Sequence, residues 1–206
     1  MIGRKLGLIS VAALALCLVV AVPAAQARKK VVTKSFSVGV GAPGGGFPIA
    51  IPDGAGQAAQ LARSSIHVRG LNPRGKVKHV AVGVRIQHPF AKDVEVYLAT
   101  PRGVISLAHD VGGEGNNYGA GPASCGGTFT IFDSNTPTRI DTPGLQAPFA
   151  GFFAPMEPLT RLNGLGGKKA TNALWSLLVD DDDPAHPAGT LECWFMTIKT
   201  TNPPKK

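Results

Sequence analysis

The chain has little from which to build helices, metal clusters or a catalytic centre. Its 206 residues include 3 Cys, 3 Met and 5 His, aromatic residues make up 6% and charged residues 17%. Heptad runs and long stretches of helix formers are missing, which excludes a coiled coil or a helical bundle. None of the five histidines (His67, His79, His88, His109, His186) forms a His-Glu-x-x-His or similar pair, so a zinc hydrolase has no ligand set to stand on. No Gly-x-Ser-x-Gly elbow is present either. What is abundant is turn chemistry. Gly (26) and Pro (17) together make about a fifth of the chain, below the roughly 25–30% of a low-complexity segment. Many short strands joined by Gly/Pro turns are the composition of an all-β sandwich or barrel. The length suits one compact domain and falls short of most two-domain enzymes.

Part of the 44% apolar content lies outside that domain. Arg4 and Lys5 precede an uninterrupted apolar run, Leu8 to Val22, and the small-x-small triplet Ala25-Gln26-Ala27 follows. This is the pattern of a secretory signal peptide over 1–27, cut between Ala27 and Arg28. The run is shorter than the roughly 20 residues of a membrane span, so no membrane association is expected after cleavage. Cys17 follows Leu16, where a lipoprotein signal requires a small residue, which speaks against a lipid anchor. The expected location is secreted, extracellular.

Cleavage lowers the net charge from +8 to +6, because Arg4 and Lys5 leave with the leader. The remaining excess belongs to Arg28, Lys29, Lys30, Lys34, Lys205 and Lys206. Between Ser35 and Pro204 thirteen basic and thirteen acidic side chains balance. The most basic stretch of the body, Arg63, Arg69, Arg74, Lys76, Lys78 and Arg85, falls partly on solvent-facing strand positions and has little aromatic interleaving. No nucleic-acid partner is expected. Basic termini are suited to anionic envelope polymers. Cys125 and Cys193 survive processing, and in an oxidising compartment an even pair predicts a disulfide. It would close 193 − 125 = 68 residues, worth about 4 kcal/mol by loop entropy.

Segments 28–46 form a basic, then Gly-rich lead, with Phe36, Val38 and Val40 alternating as a possible edge strand; the domain proper spans 47–200 and a basic tail 201–206. Period-two signals begin at Ser64 and are clearest where Val80, Val82, Val84 and Ile86 alternate with His79, Ala81, Gly83, Arg85 and Gln87. Residues 93–107 predict a hairpin about Thr100-Pro101-Arg102-Gly103. Gly112 to Cys125 predicts a long loop, Thr128 to Phe132 a strand, Asp141 to Leu162 an irregular Pro-rich segment, and Leu174–Asp180 and Thr190–Thr200 two strong strands. With Leu191 and Phe195 on one face and Trp194, Met196 and Ile198 on the other, the last strand is expected to be central. Trp175 and Trp194 are expected to be inward-facing structural residues.

The order of these residues resembles the P domain, or Homo B domain, of subtilisin-like proprotein convertases and bacterial secreted serine proteases. Ile51-Pro52-Asp53 opens the pattern. Val84-x-Ile86-x-His88, Asp93-Val94-x-Val96-x-Leu98, Thr100-Pro101-x-Gly103, Phe132-Asp133 and Pro148-Phe149-x-Gly151-x-Phe153-x-Pro155 follow. Asn163-Gly164, Trp175-x-Leu177-x-Val179 and Gly189-Thr190-Leu191-x-x-Trp194 close it, with Ala173 standing where the family usually has Gly. The resemblance implies a jelly-roll β-sandwich of about eight strands and a non-catalytic companion that supports a protease's folding and stability. The Asp-Ser/Thr-Gly, His-Gly-Thr and Gly-Thr-Ser-Met-Ala words of a subtilisin-like triad are absent, so no enzymatic activity is expected, and any tie to serine endopeptidases comes by association. Two partners follow: an exported protein such as a subtilisin-like protease, or an envelope polymer or glycan contacted through the loop at Asn116-Asn117-Tyr118. No cofactor is required. Calcium is the one metal to consider, with Asp93, Asp133 and Asp180 as ligands. The competing expectation is that Asp93 and Asp133 cap turns and that Asp180–Asp183 is a solvated turn.

Overall fold

The computed structural model describes residues 30–39, 46–54 and 61–202. The leader 1–27 with its Ala27–Arg28 junction, the glycines of 42–45 and the tail from 203 lie outside the described residues.

The described residues form ten strands, β1 (Lys30–Gly39), β2 (Ile49–Ala50), β3 (Ala62–Val68), β4 (Val77–Gln87), β5 (Val94–Thr100), β6 (Gly103–Ala108), β7 (Thr130–Phe132), β8 (Gly151–Phe153), β9 (Ala173–Asp181) and β10 (Thr190–Asn202), with one α-helical turn, α1 (Gly167–Ala170), and two 3-10 turns (Ala91–Asp93 and Leu159–Leu162). Two sheets pack as the expected all-β sandwich. One sheet runs β1-β10-β4-β7-β8 with β2 also on β10, and the other runs β3-β9-β5-β6. Pairing is antiparallel except between β7 and β8. The alternating lead segment is an edge strand of ten residues, in register with β10 from Lys30–Asn202 to Gly39–Cys193. The expected hairpin forms as β5 and β6. β8, inside the Pro-rich segment, carries no period-two signal because it is only three residues long.

The core lies between the sheets. Val80, Val82, Val84 and Ile86 of β4 meet Val96 and Leu98 of β5 and Leu177 and Val179 of β9 within one buried cluster. Trp175 and Trp194 are fully buried but belong to opposite sheets. The Trp194 indole N–H crosses the sandwich to donate to Ser64 Oγ at 2.8 Å, and that of Trp175 donates to the Ala170 carbonyl at 3.2 Å, docking α1. A bulge between Leu191 and Cys193 shifts the phase of β10, so Leu191 faces inward with Trp194 while Cys193 faces outward opposite Arg85. A plain alternation puts Leu191 on the wrong face.

β4 corrects a second expectation. Its outer face is not solvated: Ala81 and Arg85 are buried as well, and the loop after β6 folds back over Arg85. Gly83 lies under the Phe195 ring, and any Cβ there would collide with it. Replacing Trp194 with Ala should lower unfolding stability by about 3–5 kcal/mol with an unchanged denaturant slope, measured by urea titration of near-UV circular dichroism.

Candidate functional site

The outer face of the four-stranded sheet is divided by charge. On β3 the residues Ala62, Ser64, Ile66 and Val68 turn inward and Arg63, Ser65 and His67 outward. The register carries this alternation across the sheet. His67 lies opposite Leu174; Ser65 opposite Ser176, Ala99 and Val104; Arg63 opposite Leu178, Tyr97 and Ser106; and Glu95 opposite Asp180. One end of the face is therefore apolar, with Leu174 64% and Val104 53% exposed. The other end is acidic.

Three strand ends converge at the acidic end: the start of β5, the end of β6 and the end of β9. Glu95, His109 and Asp110 bring ligand atoms within 4.8 Å of one another, as do Asp93, Asp183 and His186. Asp110, Asp182, Asp183 and Asp93, with Lys92 on the rim, line an open cleft of about 380 Å³. The hydroxyl of Tyr97 donates to Glu95 Oε2 at 2.5 Å. His186 Nδ1 sits 2.8 Å from Asp93 Oδ2 and 3.3 Å from Asp183 Oδ2, its ring 4.0 Å from that of Phe90. Lys92 is engaged with Glu114 at 2.8 Å. Burial pushes the carboxyls of Asp180 and Asp182 up, and the neighbouring Glu95 adds to both. Burial also pushes the Tyr97 hydroxyl up, reinforced by its bond to Glu95.

Beneath this cluster His88 and Asp181 form a fully buried pair, Nε2 to Oδ2 2.8 Å, with His88 Nδ1 2.7 Å from the Phe90 carbonyl. Burial raises the Asp181 carboxyl against the pull of His88. The run Asp180–Asp183 is thus not a solvated turn. β9 continues through Asp181, which faces inward to His88, while Asp180 lies outward under its neighbours. Of the three candidate ligands, Asp93 and Asp180 lie at this end of the four-stranded sheet. Asp133 belongs to the other sheet, where it meets His79 Nε2 at 2.9 Å and accepts the Asn135 N–H in an Asx-turn. Glu95 and Asp110 were not singled out in the sequence, whereas Asp182 belongs to the acidic run Asp180–Asp183 that was. Alternation in Glu95-Val96-Tyr97 marks Glu95 as outward, but only the pairing register places it opposite Asp180.

Four histidines (His79, His88, His109 and His186) meet carboxylates, yet among the described residues none of the five rings is hydrogen-bonded to a Ser or Thr hydroxyl, and the His88 pair is sealed from solvent. The arrangement concentrates carboxylate oxygens and histidine rings at one end of the four-stranded sheet.

On the opposite side of the sandwich a fully buried Arg85 holds the loop that covers the larger sheet. Its guanidinium donates to the carbonyls of Ala120, Pro122 and Thr128. The same loop lays Phe129 against Phe195, ring centroids 5.1 Å apart, and brings Cys125 against Cys193. The two thiols are within hydrogen-bonding reach, and burial pushes the Cys193 thiol well up, the Cys125 contact adding to it. Gly39, opposite Cys193, leaves the space that the Cys125 sulfur occupies. Asn117 and Tyr118 also serve this packing. Asn117 Oδ1 accepts from the His88 N–H, and Tyr118 is fully buried with its hydroxyl on the Val94 carbonyl. That loop therefore presents no aromatic shelf to a glycan.

Residues 77–121 match the family model described as the proprotein convertase P-domain. No curated protein matches. Among solved structures, the chain is similar to a serine protease of Aeromonas sobria in complex with the chaperone ORF2, at 15% identity and a TM-score of 0.42, covering 84% of this chain and 28% of that one. A structure of the Aeromonas sobria serine protease is similar at 14% identity and a TM-score of 0.39, covering 82% and 27%. The chain thus spans little more than a quarter of the length of those structures.

Changing Arg85 to Ala strands three loop carbonyls, so stability should fall by about 3 kcal/mol. Hydrogen exchange should show the 119–129 segment losing protection before the sheets do.

Proposed function

We propose that this chain is a non-catalytic, P-domain-like module that docks on an exported protein, with a subtilisin-like serine protease as the favoured partner class. The observation that carries this reading is the P-domain match over residues 77–121, which takes in the central strand β4 and the hairpin β5–β6. The hairpin supplies part of the outer face on which Leu174 and Val104 stand exposed beside Tyr97 and Ala99. A half-apolar, half-acidic sheet face is suited to a protein partner, since apolar area drives association and the charged rim sets register. Among the described residues no helix is long and apolar enough to cross a membrane, which accords with an exported module.

Within that reading Cys125 and Cys193 are bridged once the chain reaches an oxidising medium. Two thiols already in contact need only lose two protons and two electrons to an external oxidant such as oxidised glutathione. The bridge would fasten the 119–129 loop to β10.

The test of docking is co-expression of residues 28–206 with a subtilisin-like protease exported by the same cell, followed by size-exclusion chromatography. Co-elution is expected, and Leu174→Glu with Val104→Glu should weaken it at least tenfold. Separate elution of the folded module overturns the reading. The bridge is checked by intact mass after alkylation without reductant. An unmodified mass is expected, and two added alkyl groups would refute it.

A further inference from the structure

We propose that the end of the sandwich opposite the acidic cluster is a binding surface for an anionic polysaccharide, one that carries sulfate or carboxylate groups along its length. Strand direction places this end. β4 starts at Val77 and closes beside His88, which holds Asp181, so the start of β4 lies far from the acids. β10 runs antiparallel to β4 and β1 antiparallel to β10, which brings the close of β10 and the start of β1 to the same end. In the other sheet the exit of β3 pairs with the start of β9, again away from Asp181.

Cations collect there. Lys30 stands opposite Asn202, and the Lys76 carbonyl accepts from the Thr201 N–H at 3.0 Å while the Lys76 N–H donates to Thr201 Oγ1 at 3.1 Å. Lys199 lies opposite His79, next in the chain to Lys78. α1 adds Lys168 and Lys169, the Lys168 N–H donating to the Pro73 carbonyl beside Arg74 at 3.1 Å. These side chains are exposed, and none of them forms an ion pair with a described residue. The stretches that build this end, 30–34, 69–78, 166–172 and 199–202, contain no Asp or Glu. Asp133, just past β7, is already engaged by His79 at 2.9 Å.

The balance of thirteen basic and thirteen acidic side chains between Ser35 and Pro204 conceals this separation. The two ends lie the length of β4 apart, eleven residues or roughly 35 Å at about 3.3 Å per residue. Salt at physiological strength screens charges over about 8 Å, so the distant acids do not neutralise the lysines. A surface of one sign without internal counter-charges draws a polyanion.

The same stretches select the class of polyanion. They hold no aromatic residue on which a nucleobase could stack or that could anchor at a bilayer interface. They do line a cleft of about 390 Å³, with Val32, Leu71 and Pro73 as apolar walls and Lys34, Asn72 and Thr200 as polar ones. Lys34 shares a face of β1 with Phe36 and Val38, which pack against the core, so it turns toward the cleft. Its ammonium lies over Gly70, where any Cβ would press on it. Apolar walls beside an ammonium and an amide suit a sugar ring with a charged substituent. The lysines around the mouth act as point charges for the repeated anions of the chain beyond that ring.

The test measures binding of residues 28–206 to fluorescently labelled dextran sulfate, polygalacturonate and neutral dextran, with duplex DNA and anionic lipid vesicles alongside. At least one charged polysaccharide should bind ten times more tightly than neutral dextran at 50 mM NaCl and weaken at least tenfold by 200 mM. The tighter of the two identifies sulfate or carboxylate as the favoured anion. Lys34→Gln with Lys76→Gln and Lys199→Gln should raise Kd at least tenfold. Arg63→Gln with Lys92→Gln and Arg139→Gln, which removes as many charges elsewhere, should stay within twofold of wild type. If the first triple variant is unfolded by circular dichroism, its three single variants are read instead, each expected to weaken binding about two- to threefold. Failure to bind either charged polysaccharide would overturn the proposal, as would equal weakening by the two triple variants, since net charge alone would then explain the binding. Tighter binding to DNA or to the vesicles than to both polysaccharides would overturn it as well.

Discussion

A single buried guanidinium governs how this sandwich is finished. An antiparallel sheet commonly leaves one face to water, but the larger sheet here has its outer face covered by a loop rich in Gly and Asn with few apolar groups of its own. Such a loop has backbone carbonyls that must find donors when they approach a sheet. Arg85 provides them from β4, between β10 and β7. Because these bonds hold the loop down, Cys125 reaches Cys193, Phe129 reaches Phe195, and Gly39 and Gly83 have to stay without side chains. Hydrophobic burial then continues on both faces of β4, which is why its burial does not alternate although its sequence does.

Two of the three His–Asp pairs that join distant segments act in a similar way. His88 and Asp181 tie the end of β4 to the end of β9, across the two sheets, at a point where water is excluded. Such a pair gains from its two charges or its shared proton only if geometry is kept, so it fixes relative placement more than it adds stability. His79 and Asp133, partly exposed, join β4 to the loop after β7 within the larger sheet.

The architecture was legible in the sequence where side chains follow a period of two. β4, the β5–β6 hairpin, β9 and β10 were visible in this way, and ordered motifs pointed to the fold family. The misreadings share a cause, since alternation names two faces without saying what lies on each. Arg85 alternates as a surface residue does, but is covered from a segment 35 to 43 positions away. The bulge beside Cys193 inverts a phase that no pattern of residues announces. Asp180 and Asp181 look like a run of solvated acids, yet continuation of β9 sends one inward and the other under its neighbours. Of the acidic end, Asp93 and the run Asp180–Asp183 were recognisable, while Glu95 and Asp110 join them only through the pairing of β5 with β9 and β6. Register depends on long-range pairing and is the least local information a sheet contains.

The pairing of β1 with β10 also has a mechanical consequence. Lys30 lies opposite Asn202, so the first and last described residues sit side by side on neighbouring strands. Tension applied through these two ends would load one rung of the ladder at a time and peel the edge strand away like a zipper. The inner strands, joined at both of their edges, would bear force only after that strand had gone. A module held in this way gives at its border under modest pull and keeps its sandwich, so length is released before the core is exposed.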